Sequence, residues 1–174
     1  MDTDTPIQRI YDLGTLSEAG YEKTITASDT ELARLAKWEG VEGVTRFEGR
    51  VTLKRLSQKR FRYEAELGAE VLQDCVVTLE PVHTQISRKF SRDLHYIPGR
   101  PDEKPDLVTL SAIEDETTEE IGSLRFDLAG PLLEEFSLAV DPYPRAPGVE
   151  FDLPGDEAAK PDSPFAVLKS LKRG

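Results

Sequence analysis

The chain has 174 residues, of which 38% are apolar and 32% charged, with 33 acids against 22 bases and a formal charge of -11. That length fits one modest core, and a chain so acidic is repelled as a whole by nucleic acid and by anionic lipid. A single cysteine excludes an internal disulfide and an all-cysteine zinc site, and two histidines, His83 and His95, exclude a histidine-rich metal centre. No stretch approaches the ~18 apolar residues of a membrane span, and the first residues lack the basic start and apolar run of a secretion signal. The expectation is a cytoplasmic protein with no membrane partner.

Charge is spread unevenly. Residues 1–43 carry 9 acids and 4 bases, 44–92 carry 6 acids and 10 bases, 93–162 carry 18 acids and 5 bases, and 163–174 carry 3 bases and no acid. An acidic head, a basic middle, an acidic arm and a basic tip follow one another.

In chain order, short strands are expected around Ile7–Leu13 and Tyr21–Ala27. Ser28 with Glu31 three residues on has the spacing of a capping box, and Leu32, Leu35 and Ala36 continue at helical period until Trp38 and Gly40 close the helix. Over 44–56, Phe47, Val51 and Leu53 alternate with Arg46, Glu48, Arg50, Thr52 and Lys54, the pattern of a half-buried antiparallel strand. A turn near Ser57–Lys59 leads to a second alternating run. There Phe61, Tyr63, Ala65, Leu67, Ala69 and Val71 point inward, and Arg62, Glu64, Glu66 and Glu70 outward. A third run, Val76–Tyr96, changes phase at Glu80-Pro81, where a bulge or sheet edge is expected because proline cannot donate to a ladder.

Residues 98–120, rich in acids and proline, read as a mobile acidic loop. Order returns at Ser123–Phe126. A helix is expected from about Asp127, carrying Leu132, Leu133, Phe136 and Leu138, and stopped by Pro142 and Pro144. Residues 1–144 thus form one α+β domain, a strongly twisted antiparallel β-sheet or open barrel with two or three flanking helices. Residues 145–162 read as a linker. Residues 163–174 read as a short helix, with Ser163 as N-cap and Pro164 at its first position. Phe165, Leu168 and Leu171 make an apolar stripe on that helix, and Lys169, Lys172 and Arg173 lie beside it.

Catalytic and metal chemistry finds no foothold. Cys75, His83 and His95 have no converging spacing, and a lone cysteine among valines is ordinarily a small buried hydrophobe. The carboxylates Glu114, Asp115, Glu116, Glu119 and Glu120 read as a solvated charge run. Neither a glycine-rich phosphate loop nor a Gly-x-Ser-x-Gly elbow is present. No catalytic residue, metal or cofactor is expected. The unusual feature is basic: Arg46, Arg50 and Lys54 share the outward side of one strand and Arg62 that of the next. They suit either a polyanion-binding face or a solvent face neutralised by Glu64, Glu66 and Glu70.

Three blocks resemble the YceD family, named for accumulation of large-subunit ribosomal RNA. Leu72-Gln73-Asp74-Cys75-Val76-Val77-Thr78-Leu79-Glu80-Pro81-Val82 is similar to its central motif. Leu124–Leu128 with Leu132–Leu138 ahead of Pro142 and Pro144 is similar to its third block. Ser163–Arg173 is similar to its C-terminal signature. Many relatives carry a Cys-x-x-Cys in the central motif. Here Cys75 matches the first cysteine and Thr78 stands at the second, so the resemblance implies a member without the full cysteine motif and without metal. It further implies a non-enzymatic factor in large-subunit biogenesis and 23S ribosomal RNA accumulation. Two partners are compatible with it. One is large-subunit RNA or a pre-ribosomal particle, met through Arg46, Arg50, Lys54 and Arg62. The other is a basic large-subunit ribosomal protein, held in chaperone-like fashion by the acidic arm. Phe165, Leu168, Leu171, Lys169, Lys172 and Arg173 would then dock on a partner or on the domain itself.

Overall fold

The structure is a computed structural model, and it describes residues 5–99 and 118–148. In chain order the elements are β1 (Ile10–Asp12), a single 3-10 turn (Leu13–Thr15), β2 (Tyr21–Thr26), α1 (Asp29–Glu39), β3 (Gly43–Arg55), β4 (Arg60–Asp74), β5 (Pro81–Tyr96), β6 (Thr118–Ile121), β7 (Arg125–Asp127) and α2 (Gly130–Ala139). The expected α+β class holds, as an open sheet. Five strands run in the order β2-β3-β4-β5-β6, and β1 pairs with β7 in a separate two-stranded ribbon. The pairings are antiparallel except β5 with β6, which is parallel.

The two long alternating runs become β3 and β4, the central pair. Every inward residue expected of β4, from Phe61 to Val71, is buried, as are Phe47, Val51 and Leu53 of β3. Both helices cover this inner face. α1 begins with the expected capping box: the Ser28 hydroxyl accepts from Glu31 N, and the Glu31 carboxylate accepts from Ser28 N. It ends at Gly40, whose φ of 77° is left-handed and is favoured by the missing Cβ. α2 buries Leu132, Leu133 and Phe136, and Phe136 meets Phe47 edge-on at 5.6 Å. Burying each such side chain contributes roughly 1.5–3 kcal/mol. Ser137 Oγ donates to Glu39 at 2.7 Å and ties the two helices together.

Several expectations are corrected. The first strand covers only Ile10–Asp12 and pairs with β7. Val76–Leu79 is a tight turn, and β5 starts at Pro81, so the phase change at Glu80-Pro81 is a strand beginning, where the missing proline N–H costs no internal bond. The irregularity of register falls instead on β3, between Val44 and Arg46. Thr118–Glu120, read as the end of the acidic loop, pair with β5, while 100–117 lie outside the described residues. α2 starts at Gly130. Asp127 sits before it, and its carboxylate accepts from Arg9 N and Ala129 N. Of the apolar residues expected on this helix, Leu138 is exposed, two positions from Phe136 and so on the opposite side of the helix.

Candidate nucleic-acid interface

The sheet presents its other face to solvent, and the register decides what that face contains. Lys54 lies opposite Arg62, Thr52 opposite Glu64, Arg50 opposite Glu66, and Arg46 opposite Glu70. On the far side of β4, Arg62 meets Asp93, Glu66 meets Lys89, and Gly68 meets Ser87. All four sequence-predicted cations therefore share one face, as alternation requires. Each also has a carboxylate beside it.

The pairs differ in quality. Arg62 grips Asp93 with two bonds, Nε at 2.8 Å and an NH2 nitrogen at 3.0 Å. This contact raises the Arg62 pKa and lowers that of Asp93. Lys54 reaches Glu64 at 2.7 Å. Lys89 reaches Glu66 at 2.6 Å and holds its carboxyl below the usual range. By contrast Arg46 stands 3.6 Å from Glu70, and Arg50 stands 3.8 Å from Glu22, with side chains 56% and 60% exposed. Exposed pairs at such distances contribute little, and a competing anion displaces them readily.

Between these loosely held cations lies a shallow cavity of about 210 Å³, lined by Arg46, Glu48, Arg50, Glu66, Leu67, Gly68, Ser87, Arg88 and Lys89. Its floor is open because Gly68 has no side chain, and a Cβ there would sit 2.9 Å from an Arg46 guanidinium nitrogen. By register Arg46, Arg50 and Lys89 present their charges on this face, with Glu48 and Glu66 between them, while Arg88 borders the cavity from its position opposite the inward Leu67. Arg88 and Lys89 were not singled out from sequence. Their place opposite Leu67 and Glu66 follows from register alone.

Other bases are committed elsewhere. Arg55 donates to the carbonyls of Leu13 and Gly14 and lies over the Phe61 ring. Arg92 points to the helical side, reaching Glu134 at 2.5 Å, Glu135 at 3.4 Å and Glu119 at 3.7 Å. Burial works against its charge, and Glu134, with the other two carboxylates, more than offsets that. Part of the acidic arm is thus used to fasten β6 and α2 to β5.

The Cys75–Glu80 turn is closed by Glu80 O accepting from Cys75 N and by Cys75 O accepting from Leu79 N. Val76 N donates to Pro144 O, and the amides of Thr78 and Ala146 donate to Cys75 Sγ at 3.5 and 3.3 Å. Hydrogen bonding from Thr78, then Ala146, lowers the thiol from 9.0 to about 7. His83 and His95 lie toward opposite ends of β5, paired with Leu72 and Arg60, so the two do not converge with Cys75. Among the described residues no group of three or more His, Cys, Asp or Glu could hold a metal ion, and no helix is long and apolar enough to cross a membrane. The stripe residues Phe165, Leu168 and Leu171, and Lys169, Lys172 and Arg173, lie outside the described residues.

The domain is an open sheet with helices on one side and a charge-laced, cation-notched face on the other. Residues 63–172, from within β4 onward, match the model of the large ribosomal RNA subunit accumulation protein YceD, so the chain belongs to the YceD family. No curated protein and no solved structure gives a significant match.

Proposed function

We propose that the protein is a non-enzymatic factor in large ribosomal subunit biogenesis and ribosomal RNA accumulation, acting in the cytoplasm, and that it touches large-subunit RNA through the outer face of its sheet. The observation that carries this reading is the notch over Gly68, where Arg46 and Arg50 are the least firmly paired cations of the face. A phosphate entering there exchanges long, solvent-screened ion pairs for short charge-assisted hydrogen bonds. Lys54 and Arg62 flank the notch, and their tighter carboxylate pairs make them secondary contacts. Family membership supplies the RNA class.

Contact through about three phosphates makes binding fall steeply with salt, and the overall negative charge keeps it confined to this patch. The experiment is a gel-shift series with large-subunit RNA fragments at rising salt, comparing the wild type with an Arg46→Glu, Arg50→Glu double variant. The expected result is salt-sensitive binding that the double variant loses. Binding that is independent of salt, or that survives the double change, overturns the reading.

A further inference from the structure

The turn joining β4 to β5 carries Val76, Val77 and Leu79, all exposed, and Leu79 is 75% exposed. Tyr143, also exposed, precedes the residue whose carbonyl receives the Val76 amide. These four make an apolar patch at one end of the molecule, away from the cation notch. Leu79 has a φ of 59°, the left-handed region, where glycine or asparagine is far cheaper than a branched apolar residue. The fold alone favours another residue at this position.

The described chain leaves from this same end. Pro144 and Ala146 lie against the turn, with Val76 N on Pro144 O and Ala146 N on Cys75 Sγ. From Gly148 to Phe165 there are 17 residue steps, enough to span about 55 Å when extended. The segment beyond carries Phe165, Leu168 and Leu171 at helical spacing, with Lys169, Lys172 and Arg173 beside them. Among the described residues, exposed Asp74 and Glu80 adjoin the turn in sequence and exposed Asp141 and Arg145 flank Tyr143, three acids to one base. Apolar stripe matches apolar patch, and positive flank matches negative rim. The family match spans both the turn and nearly all of the terminal segment.

We propose that the C-terminal segment folds back on its own chain as a short helix, seating Phe165, Leu168 and Leu171 on Val76, Val77, Leu79 and Tyr143. A helix of this length is marginal in water without a surface to dock on. The clasp closes the acidic 149–162 stretch into a loop and leaves the outer sheet face free for its own ligand.

Hydrogen exchange on the full chain tests this. The amides of 165–171 should exchange at least about tenfold more slowly than in a free peptide of the same sequence. Leu79→Asn, which suits the left-handed turn, should abolish that protection, as should Leu168→Glu, and the two together should do no more than either. Leu56→Asn, at the opposite hairpin, should leave protection intact and serves as the control. Should Leu79→Asn disturb the domain itself, Val77→Glu takes its place. An unprotected tail in the wild type overturns the proposal. Protection indifferent to the patch variants overturns it too. So does a change from dimer to monomer on patch mutation with tail exchange unaltered, because a second copy then covers the patch.

Discussion

Leu132 of α2 occupies the space that a side chain on Gly49 of β3 would need. A Cβ on Gly49 would lie 2.9 Å from Leu132 Cδ2 and 3.2 Å from its Cγ. Leu132 is fully buried, in an interior packed closely enough that added volume strains its neighbours. Gly49→Ala should therefore push α2 off the sheet and cost about 1–3 kcal/mol, the usual range for overpacking. Urea unfolding measures this. An unchanged midpoint would show that Leu132 repacks freely and would refute the wedge.

Gly68 makes the opposite case on the opposite face. The atom that an added Cβ would meet is the tip of the exposed Arg46 side chain, which can swing aside. Gly68→Ala should leave stability within about 0.5 kcal/mol, the usual range for surface changes, yet fill the notch and weaken RNA binding. Comparing melting temperature with gel shift separates the two effects. Equal loss of both would mean that Gly68 serves the fold instead of the site.

The Arg9–Glu31 pair sets an acid limit on stability. The Arg9 guanidinium at 2.8 Å and the Ser28 amide hold the Glu31 carboxyl down, from 4.5 to about 2. Because the folded pKa is depressed, the stabilisation is complete above pH 4.5 and is lost as pH falls through 2. After screening of the partly exposed guanidinium, the pair and cap together should contribute about 1–2 kcal/mol at neutral pH. Glu31→Gln should lower the urea midpoint at pH 7 and make little difference at pH 2. A gap between wild type and variant that persists at pH 2 would contradict the linkage.

What the sequence made legible follows from where a single period governs. β3 and β4 have one buried and one wet face along their whole length, so alternation alone located Phe47 to Val71 and put Arg46, Arg50, Lys54 and Arg62 together. β1 and β7 are three residues each and depend on one another across more than a hundred positions, a pairing that no local pattern carries. The run Val76–Leu79 has the apolar content of a strand, yet hydrogen bonds to Cys75 Sγ and the left-handed Leu79 make it an exposed turn. The notch was invisible for a different reason. Which carboxylate faces which cation depends on register, and Lys89 comes opposite Glu66 at the edge of the cavity only once β4 and β5 are aligned. Parity puts Arg92 on the helical side with Ile86 and Leu94, but does not tell that it clamps Glu134 and Glu135 there.

The thiol of Cys75 provides the last test. It is fully buried, yet the Thr78 and Ala146 donors favour its thiolate and set its pKa to about 7. Those donors belong to the turn and to the segment after α2, so the sulfur joins two pieces of chain distant in sequence. Raised acidity and burial make different predictions for two measurements. Thiolate absorbance of the folded protein should titrate with a midpoint near 7 in place of 9.0. Alkylation should nonetheless be slow until the chain unfolds, because the reagent cannot reach the sulfur. The sign of the linkage is that of a depressed acid: the contribution is complete above pH 9, is lost as pH falls through 7, and is absent in Cys75→Ala. The stability difference between wild type and Cys75→Ala should accordingly widen as pH rises from 7 to 9. Rapid labelling of the native protein, or a thiolate midpoint at the unperturbed value, would show that the turn and the 141–148 segment are not joined through sulfur.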